Sequence, residues 1–266
     1  MSRFPPSICS ITTALCASEF CPGKKAVFPI DLRIENKYLI SDSDLYVLSR
    51  RLQGVMQPDI HQNEGLYMIR SLYFDNYQDE CMNENAEGVD NRKKYRIRLY
   101  DPASDYIRLE VKEKINGLTK KTSCHLTRAE AQALMQGQAP GGFDSRAPLN
   151  ALQLQMRMSL MRPKVIISYE RTAFVHPAGN VRITFDRNIT ASPQCRHFLG
   201  AQVPCCVPLL PTGMHILEVK YDELIPDHIL QVLETGKLVR TAFSKYYLGR
   251  MALLGDFSAA GSESAI

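Results

Sequence analysis

Within "KKYRIRLYD", Lys93 to Asp101, two arginines stand two residues apart, and an extended strand puts both on one face. Arg96 and Arg98 then point away from Tyr95, Ile97 and Leu99, while Lys93 and Lys94 read as the solvated entry to the strand. The same alternation recurs along the chain. Arg108, Glu110, Lys112 and Lys114 oppose Ile107, Leu109 and Val111; Arg182, Thr184 and Asp186 oppose Val181, Ile183 and Phe185; Glu218 and Lys220 oppose Leu217 and Val219. An early segment offers Arg33, Glu35 and Lys37, and "SYERTAF" offers Arg171. On a single strand the ordinary outcome is a polar face turned to water. Many arginines and lysines on one continuous face, however, repel one another unless an anion neutralises them. A sheet of such strands that curls into a closed barrel has a lumen suited to a polyanion. The interspersed carboxylates suit a divalent cation, because Mg2+ or Mn2+ is typically held by one or two carboxylates plus substrate phosphates.

These side chains need strands to present them, and the chain supplies the strands. "DLRIENKYLI" opens the ordered region as a strand. "SDSDLYVLSRRLQGVM" reads as a helix capped by Ser41 or Asp42, with Leu45, Leu48, Leu52 and Val55 on one face. "YMIRSLYFDN" is a strand, and residues 77–92 are a short helix or loop. "KYRIRLYD" and "YIRLEVKEK" form a hairpin across "PASD", and "INGLTKKTSCHL" adds a turn and a strand. "TRAEAQALMQG" carries a capping box, Thr127 with Glu130, and stops at Gly137. "NALQLQMRMSLM" is a helix whose methionines fill a core. "KVIISYERTAFV" and "VRITFDRNI" form a second hairpin turned at "HPAGN", residues 190–213 are an irregular loop, and "HILEVKYD" is a last strand. "PDHILQVLETGKLVR" and "FSKYYLGRMALL" are closing helices. No linker or repeat divides the chain. The expectation is one α+β domain dominated by antiparallel strands.

Composition narrows the chemistry further. The chain has 266 residues, 45% hydrophobic and 23% charged, with 32 Lys plus Arg against 28 Asp plus Glu. A net charge of +4 does not mark a nucleic-acid binder, so anion binding must come from local clustering. Cys9, Cys16, Cys21, Cys81, Cys124, Cys195, Cys205 and Cys206 form no C-x-x-C pair. They read as free thiols of a reducing, cytoplasmic compartment. Cys195, His197, Cys205 and Cys206 lack zinc-ligand spacing. No run has the length of a membrane span. "SICSITTALCA" is broken by polar residues, and residues 1–29 are expected to be a poorly ordered extension rather than a signal. Glycine-rich phosphate loops, H-E-x-x-H and G-x-S-x-G are all missing. Phosphate handling would therefore rest on side chains.

With these faces in view, the chain resembles the VTC (vacuolar transporter chaperone) polyphosphate polymerase domain, a member of the triphosphate tunnel metalloenzymes related to the CYTH phosphatases. The resemblance is carried, in order, by "RIENKYLI", "RSLYFDN", "YRIRLYD", "LEVKEKINGLTKK", "SYERTAF", "VRITFDRNI", "ILEVKYDELIPD" and "FSKYYLGR". It spans residues 30–254 and leaves 255–266 as a flexible tail. The resemblance implies a closed antiparallel β-barrel, a tunnel with flanking helices, in which ATP or another triphosphate lies along a basic lumen. It implies transfer of the terminal phosphoryl group of ATP to a growing polyphosphate chain with Mn2+ or Mg2+. The matching positions are Lys37, Arg96, Arg98, Lys112, Lys120 or Lys121, Arg171, Arg182, Glu218 and Lys245. Arg96, Arg98, Arg171, Arg182 and Glu218 are expected to act in catalysis, and Lys37, Lys112, Lys120, Lys121, Lys220 and Lys245 in substrate binding. The family's metal carboxylate falls on Glu218, and face parity adds Glu35 and Glu110.

Two departures qualify the match. The CYTH relatives begin with E-x-E-x-K, whereas the first position here is Arg33, which favours the VTC branch over a plain triphosphatase. A lysine that precedes "FSK" in fungal polymerases is missing from "VRTAFSKY", where Arg240 lies nearby. Two other activities remain open: an inorganic triphosphatase or CYTH-type hydrolase with water as acceptor, and a non-catalytic polyphosphate-binding module. The partners expected are ATP and polyphosphate, with no nucleic acid, and a membrane protein for export of product.

Overall fold

Alternating apolar and charged residues give the long strands one buried face each, and the fold is built on that asymmetry. In the computed structural model, residues 34–62, 65–116, 118–234 and 238–255 are described. The expected extension 1–29 and nearly all of the expected tail lie outside them. All described residues fall in one unit, Asp31–Ile266.

In chain order the elements are β1 (Ile34–Ser41), α1 (Asp42–Gln53), β2 (Gln57–Pro58), β3 (Tyr67–Asp75), α2 (Glu80–Ala86), β4 (Arg92–Leu99), β5 (Ile107–Ile115), β6 (Leu118–Leu126), α3 (Arg128–Met135) and α4 (Ala147–Met158). There follow β7 (Arg162–His176), β8 (Val181–Ser192), β9 (Val207–Pro208), β10 (Met214–Tyr221), α5 (Asp227–Leu233) and α6 (Lys245–Leu254). Ser41 caps α1 in a full capping box with Asp44, and Thr127 caps α3 with Glu130, as local sequence predicts. The irregular stretch 190–213 holds more order than expected, including a short helical turn at Cys195–His197 and β9, which pairs with β8.

The strands form one antiparallel sheet in the order β1-β10-β8-β7-β3-β4-β5-β6, with β2 paired to β7. Its ladder has two ends, and no backbone pairing joins β1 to β6 among the described residues. The expected hydrogen-bonded closure into a barrel is therefore corrected to a curled sheet with an open seam. The free edge of β1 is taken instead by the segment before α6: Tyr38 bridges to Arg240, and the Thr241 amide donates to the Lys37 carbonyl at 2.8 Å. Such cover also blunts an exposed strand edge.

The curl is nonetheless deep. Six inter-strand steps separate β1 from β5, or about 29 Å in a flat sheet. Yet Lys112 of β5 lies 3.5 Å from Glu35 of β1. Only a sheet bent strongly toward its charged face brings those side chains together. On the outer side, α1 and α5 cover an apolar cluster that includes Ile183, Phe185, Leu217 and Val219. A second cluster, including Ile97, Leu99, Leu109 and Val111, lies under α3 and α4. The concave side is left to the charged residues, except at one end, where α6 packs on β7 and β8. Gly249 permits that approach, since a Cβ there would come 2.4 Å from Ile167 Cδ1. A bidentate pair from Arg250 to Asp79, at 2.7 and 2.9 Å, ties α6 to the start of α2.

Candidate active site

Register decides which side chains meet on the concave face, because paired residues share a side of the sheet. Arg96 faces Tyr73 and Glu110, and Arg98 faces Ser71 and Arg108. Lys37 faces Glu218, which faces Thr184 on its other flank, while Lys220 faces Glu35 and Arg182. Arg171 faces Asp186 and Tyr67. Lys121 faces Lys112, whereas Lys120 faces Glu113 on the opposite side of the sheet. The pair left open by the sequence thus splits: Lys121 belongs to the concave face, and the expectation for Lys120 as a substrate ligand does not fit its position. Lys94, which looks from sequence like a solvated strand entry, faces Lys112 and shares the concave face with Arg96.

Three carboxylate-centred clusters organise this face. In the first, Glu110 is 3% exposed and takes Arg96 Nε and Nη2 at 2.7 Å each, Arg98 Nη1 at 3.6 Å and Lys121 at 2.5 Å. Burial alone would raise its carboxyl, but Arg96, Arg98 and Lys121 hold it well below the usual range. Arg96 also donates to Tyr73 Oη at 2.9 Å and Arg98 to Tyr169 Oη at 3.4 Å. Two guanidinium groups, which stay charged, share one oxygen of Glu110, whereas Glu35 and Glu218 meet lysines; Glu110 is placed to orient the two arginines, and the expectation that it holds a metal does not suit this environment.

The second cluster centres on Asp186, which is fully buried. It accepts a bidentate pair from Arg171 at 2.6 and 2.8 Å and an ion pair from Lys245 at 2.5 Å. Lys245 also stands over the rings of Tyr169 and Phe243, 4.8 and 5.8 Å from their centres. Burial works against ionisation of Asp186, and Arg171 with Lys245 overcomes it. Asp186 stands on the charged face in sequence, but nothing in its own strand reveals its partners on β7 and α6.

In the third cluster, Glu35 and Glu218 lie close enough to oppose each other's ionisation. Burial and Glu218 push the Glu35 carboxyl up, but Lys220, Lys37 and Lys112 prevail and hold it at about 2. Lys37 pairs with Glu35 at 2.9 Å and donates to the Phe243 carbonyl at 3.1 Å. Glu218 is 4% exposed and meets Lys220 as an ion pair without the alignment of a hydrogen bond. Beside it, the buried Thr184 hydroxyl has no hydrogen-bond partner among the described residues. Arg182 stands apart from the three clusters, held by Asp59 at 2.7 Å and Tyr67 Oη at 2.8 Å.

Elsewhere, Cys81, Cys124, Cys195, Cys205 and Cys206 are free thiols, with Cys205 and Cys206 exposed. No group of three or more His, Cys, Asp and Glu with metal-binding proximity occurs among the described residues. No helix among them is long and apolar enough to cross a membrane.

Comparison with known proteins agrees with this architecture. No curated protein matches the chain. A Hippeastrum protein described as an adenylyl cyclase with a dominant triphosphatase activity superposes with a TM-score of 0.51 at 13% identity, covering 82% of this chain and 94% of that one. A protein from Bacillus halodurans described as an adenylate cyclase gives 0.49 at 15% identity, over 80% and 94%. The first likeness shows a shared fold. The family model of the VTC domain matches residues 32–254, which contain every strand and helix described above. On that match the chain belongs to the VTC domain family.

Proposed function

We propose that this protein is a polyphosphate polymerase that transfers the terminal phosphoryl group of ATP to a growing polyphosphate chain along the concave face. The observation that carries this reading is the charge balance of that face. Basic side chains from β1, β4, β5, β6, β7, β8, β10 and α6 converge there, while Glu35, Glu110, Asp186 and Glu218 are all ion-paired. The remaining positive charge suits a phosphate chain.

Phosphoryl transfer asks mainly for in-line positioning and charge compensation. A terminal oxygen of the polyphosphate chain attacks the γ-phosphorus, the bond from that phosphorus to the β–γ bridging oxygen breaks, and ADP leaves with the electron pair. The attacking oxygen is already ionised, so no general base is needed. Arg96 and Arg98, oriented by Glu110, compensate charge on the transferring group. Lys121, Lys112 and Lys37 bind the chain, with Arg171 and Lys245 at the α6 end and Arg182 at the Asp59 side. Lys220 neutralises Glu218 in the free protein and turns to phosphate when the chain binds.

The donor set fits a divalent cation. Glu35 and Glu218 crowd each other's charge, and the unpartnered Thr184 hydroxyl adds a third oxygen beside Glu218. Hard oxygen donors of this kind suit Mg2+ or Mn2+. Glu218 with Glu35 would hold the ion, which when bound supplies charge neutralisation of phosphate oxygens.

Product analysis after incubation with ATP and Mn2+ tests the reading. Long polyphosphate resolved on a gel is the expected result. Orthophosphate alone would replace the polymerase with a triphosphatase, and tight polyphosphate binding without turnover would leave a binding module.

A further inference from the structure

Lys94 is placed differently from the other lysines of the face. It lies at the end closed by α6, where its Nζ bonds Asn85 Oδ1 of α2 and Ser244 Oγ, the N-cap of α6, the latter at 3.2 Å. The Tyr246 ring centre is 6.0 Å away. Its hydrogen-bond partners are thus a neutral amide and a hydroxyl, whereas Lys37, Lys121 and Lys245 each meet a carboxylate.

The surrounding charges are mostly cationic. Arg92 on its own strand, Lys112 on β5 and Lys37 on β1 all disfavour its protonation. On α2 the facing groups are the Cys81 thiol, which burial pushes up and keeps neutral, and the carboxyl of Glu84. On α6, Lys245 is held by Asp186. Burial first, then Arg92, Lys112 and Lys37, lower the Lys94 ammonium to about 7. A half-buried amine among cations gains most when an anion arrives.

We propose that Lys94, with Ser244, forms a further phosphate subsite at the α6 end of the concave face, and that Lys94 takes up a proton from solvent when a phosphate chain occupies it. The inference rests on the reading above only in that a phosphate chain enters this face; it does not depend on which acceptor the enzyme uses. A phosphate oxygen there replaces Asn85 as the partner of Nζ and returns the amine toward an ordinary lysine. Binding therefore favours the protonated form: affinity is greatest below about pH 7 and falls as pH rises through the range between the free and bound values.

Calorimetric titration of the full chain with inorganic tripolyphosphate at pH 7.5, in two buffers of different ionisation enthalpy, counts the protons exchanged. The wild type is expected to take up most of one proton more than Lys94→Met, which also binds about tenfold more weakly, the size of one charge-assisted hydrogen bond. Lys94→Arg, permanently charged, is expected to bind near wild-type strength without that uptake. Equal proton uptake and equal affinity in wild type and Lys94→Met would overturn the subsite while leaving phosphate binding by the face intact. Failure of the wild type to bind tripolyphosphate would remove the broader reading, and the subsite with it.

Discussion

Glu218→Gln is expected to lower metal-dependent turnover by at least roughly a hundredfold, the scale seen when one preorganised charge-stabilising group is lost from an active site. The substitution keeps the shape of a side chain that is 4% exposed, so the sheet should hold. It removes the more buried member of the Glu35–Glu218 pair, and with it the crowded negative charge that favours a divalent cation. Lys37 and Lys220 keep Glu35 as a partner, which limits the structural cost. The rise in melting temperature caused by Mn2+ in the wild type should be lost in the variant, giving a readout independent of turnover. Full activity together with an unchanged Mn2+ shift would remove Glu218 from the proposed site.

The second large effect concerns stability. Asp186→Asn leaves Arg171 and Lys245 facing each other without their shared counter-charge. Breaking a buried ion pair by deleting one partner costs about 3–5 kcal/mol, which for a chain of this size lowers the melting temperature by roughly 10 °C. The wild-type carboxyl is held below its ordinary 3.8. Its contribution is therefore complete above that pH and lost as acid protonates the folded form; the Asn variant should lack this part of the acid dependence. A phosphate chain offers the two cations a replacement anion, so tripolyphosphate should stabilise the variant more than the wild type. An unchanged melting temperature at pH 7 would show that the cluster is not a buried ionic anchor.

Much of this site is legible in the sequence because strand side chains alternate with a period of two. Ile97, Leu99, Leu109, Val111, Ile183, Phe185, Leu217 and Val219 are all buried, which leaves Arg96, Arg98, Glu110, Glu218 and their neighbours on the other face. What alternation does not reveal is pairing between distant segments. At the open seam, Arg240 and Thr241 occupy the edge of β1, a contact about two hundred residues away in sequence. Asp186 likewise gains its meaning from Arg171 on β7 and Lys245 on α6.

Other features had signals in the sequence. Ile115 pairs with Leu118 around a turn in which Asn116 has a positive φ of 51°. Asn-Gly between two strands marks such a two-residue hairpin, and its register alone puts Lys121, not Lys120, opposite Lys112. The parity of "KKYRIRLYD" also places Lys94 with Arg96 and Arg98. Only the water expected at a strand entry argued otherwise, and α2 and α6 exclude much of it. Helix α5 ends at Leu233, short of the predicted span to Arg240: Glu234 is already extended, and Arg240 bridges to Tyr38 of β1.

The most direct measurement is a crystal structure of the protein with inorganic tripolyphosphate. The phosphate oxygens are expected within hydrogen-bonding distance of Arg96, Arg98 and Lys121 on the concave face, with Lys120 untouched. Tripolyphosphate seated elsewhere, with the Arg96–Glu110 and Lys121–Glu110 pairs undisturbed and no density on that face, would contradict the account.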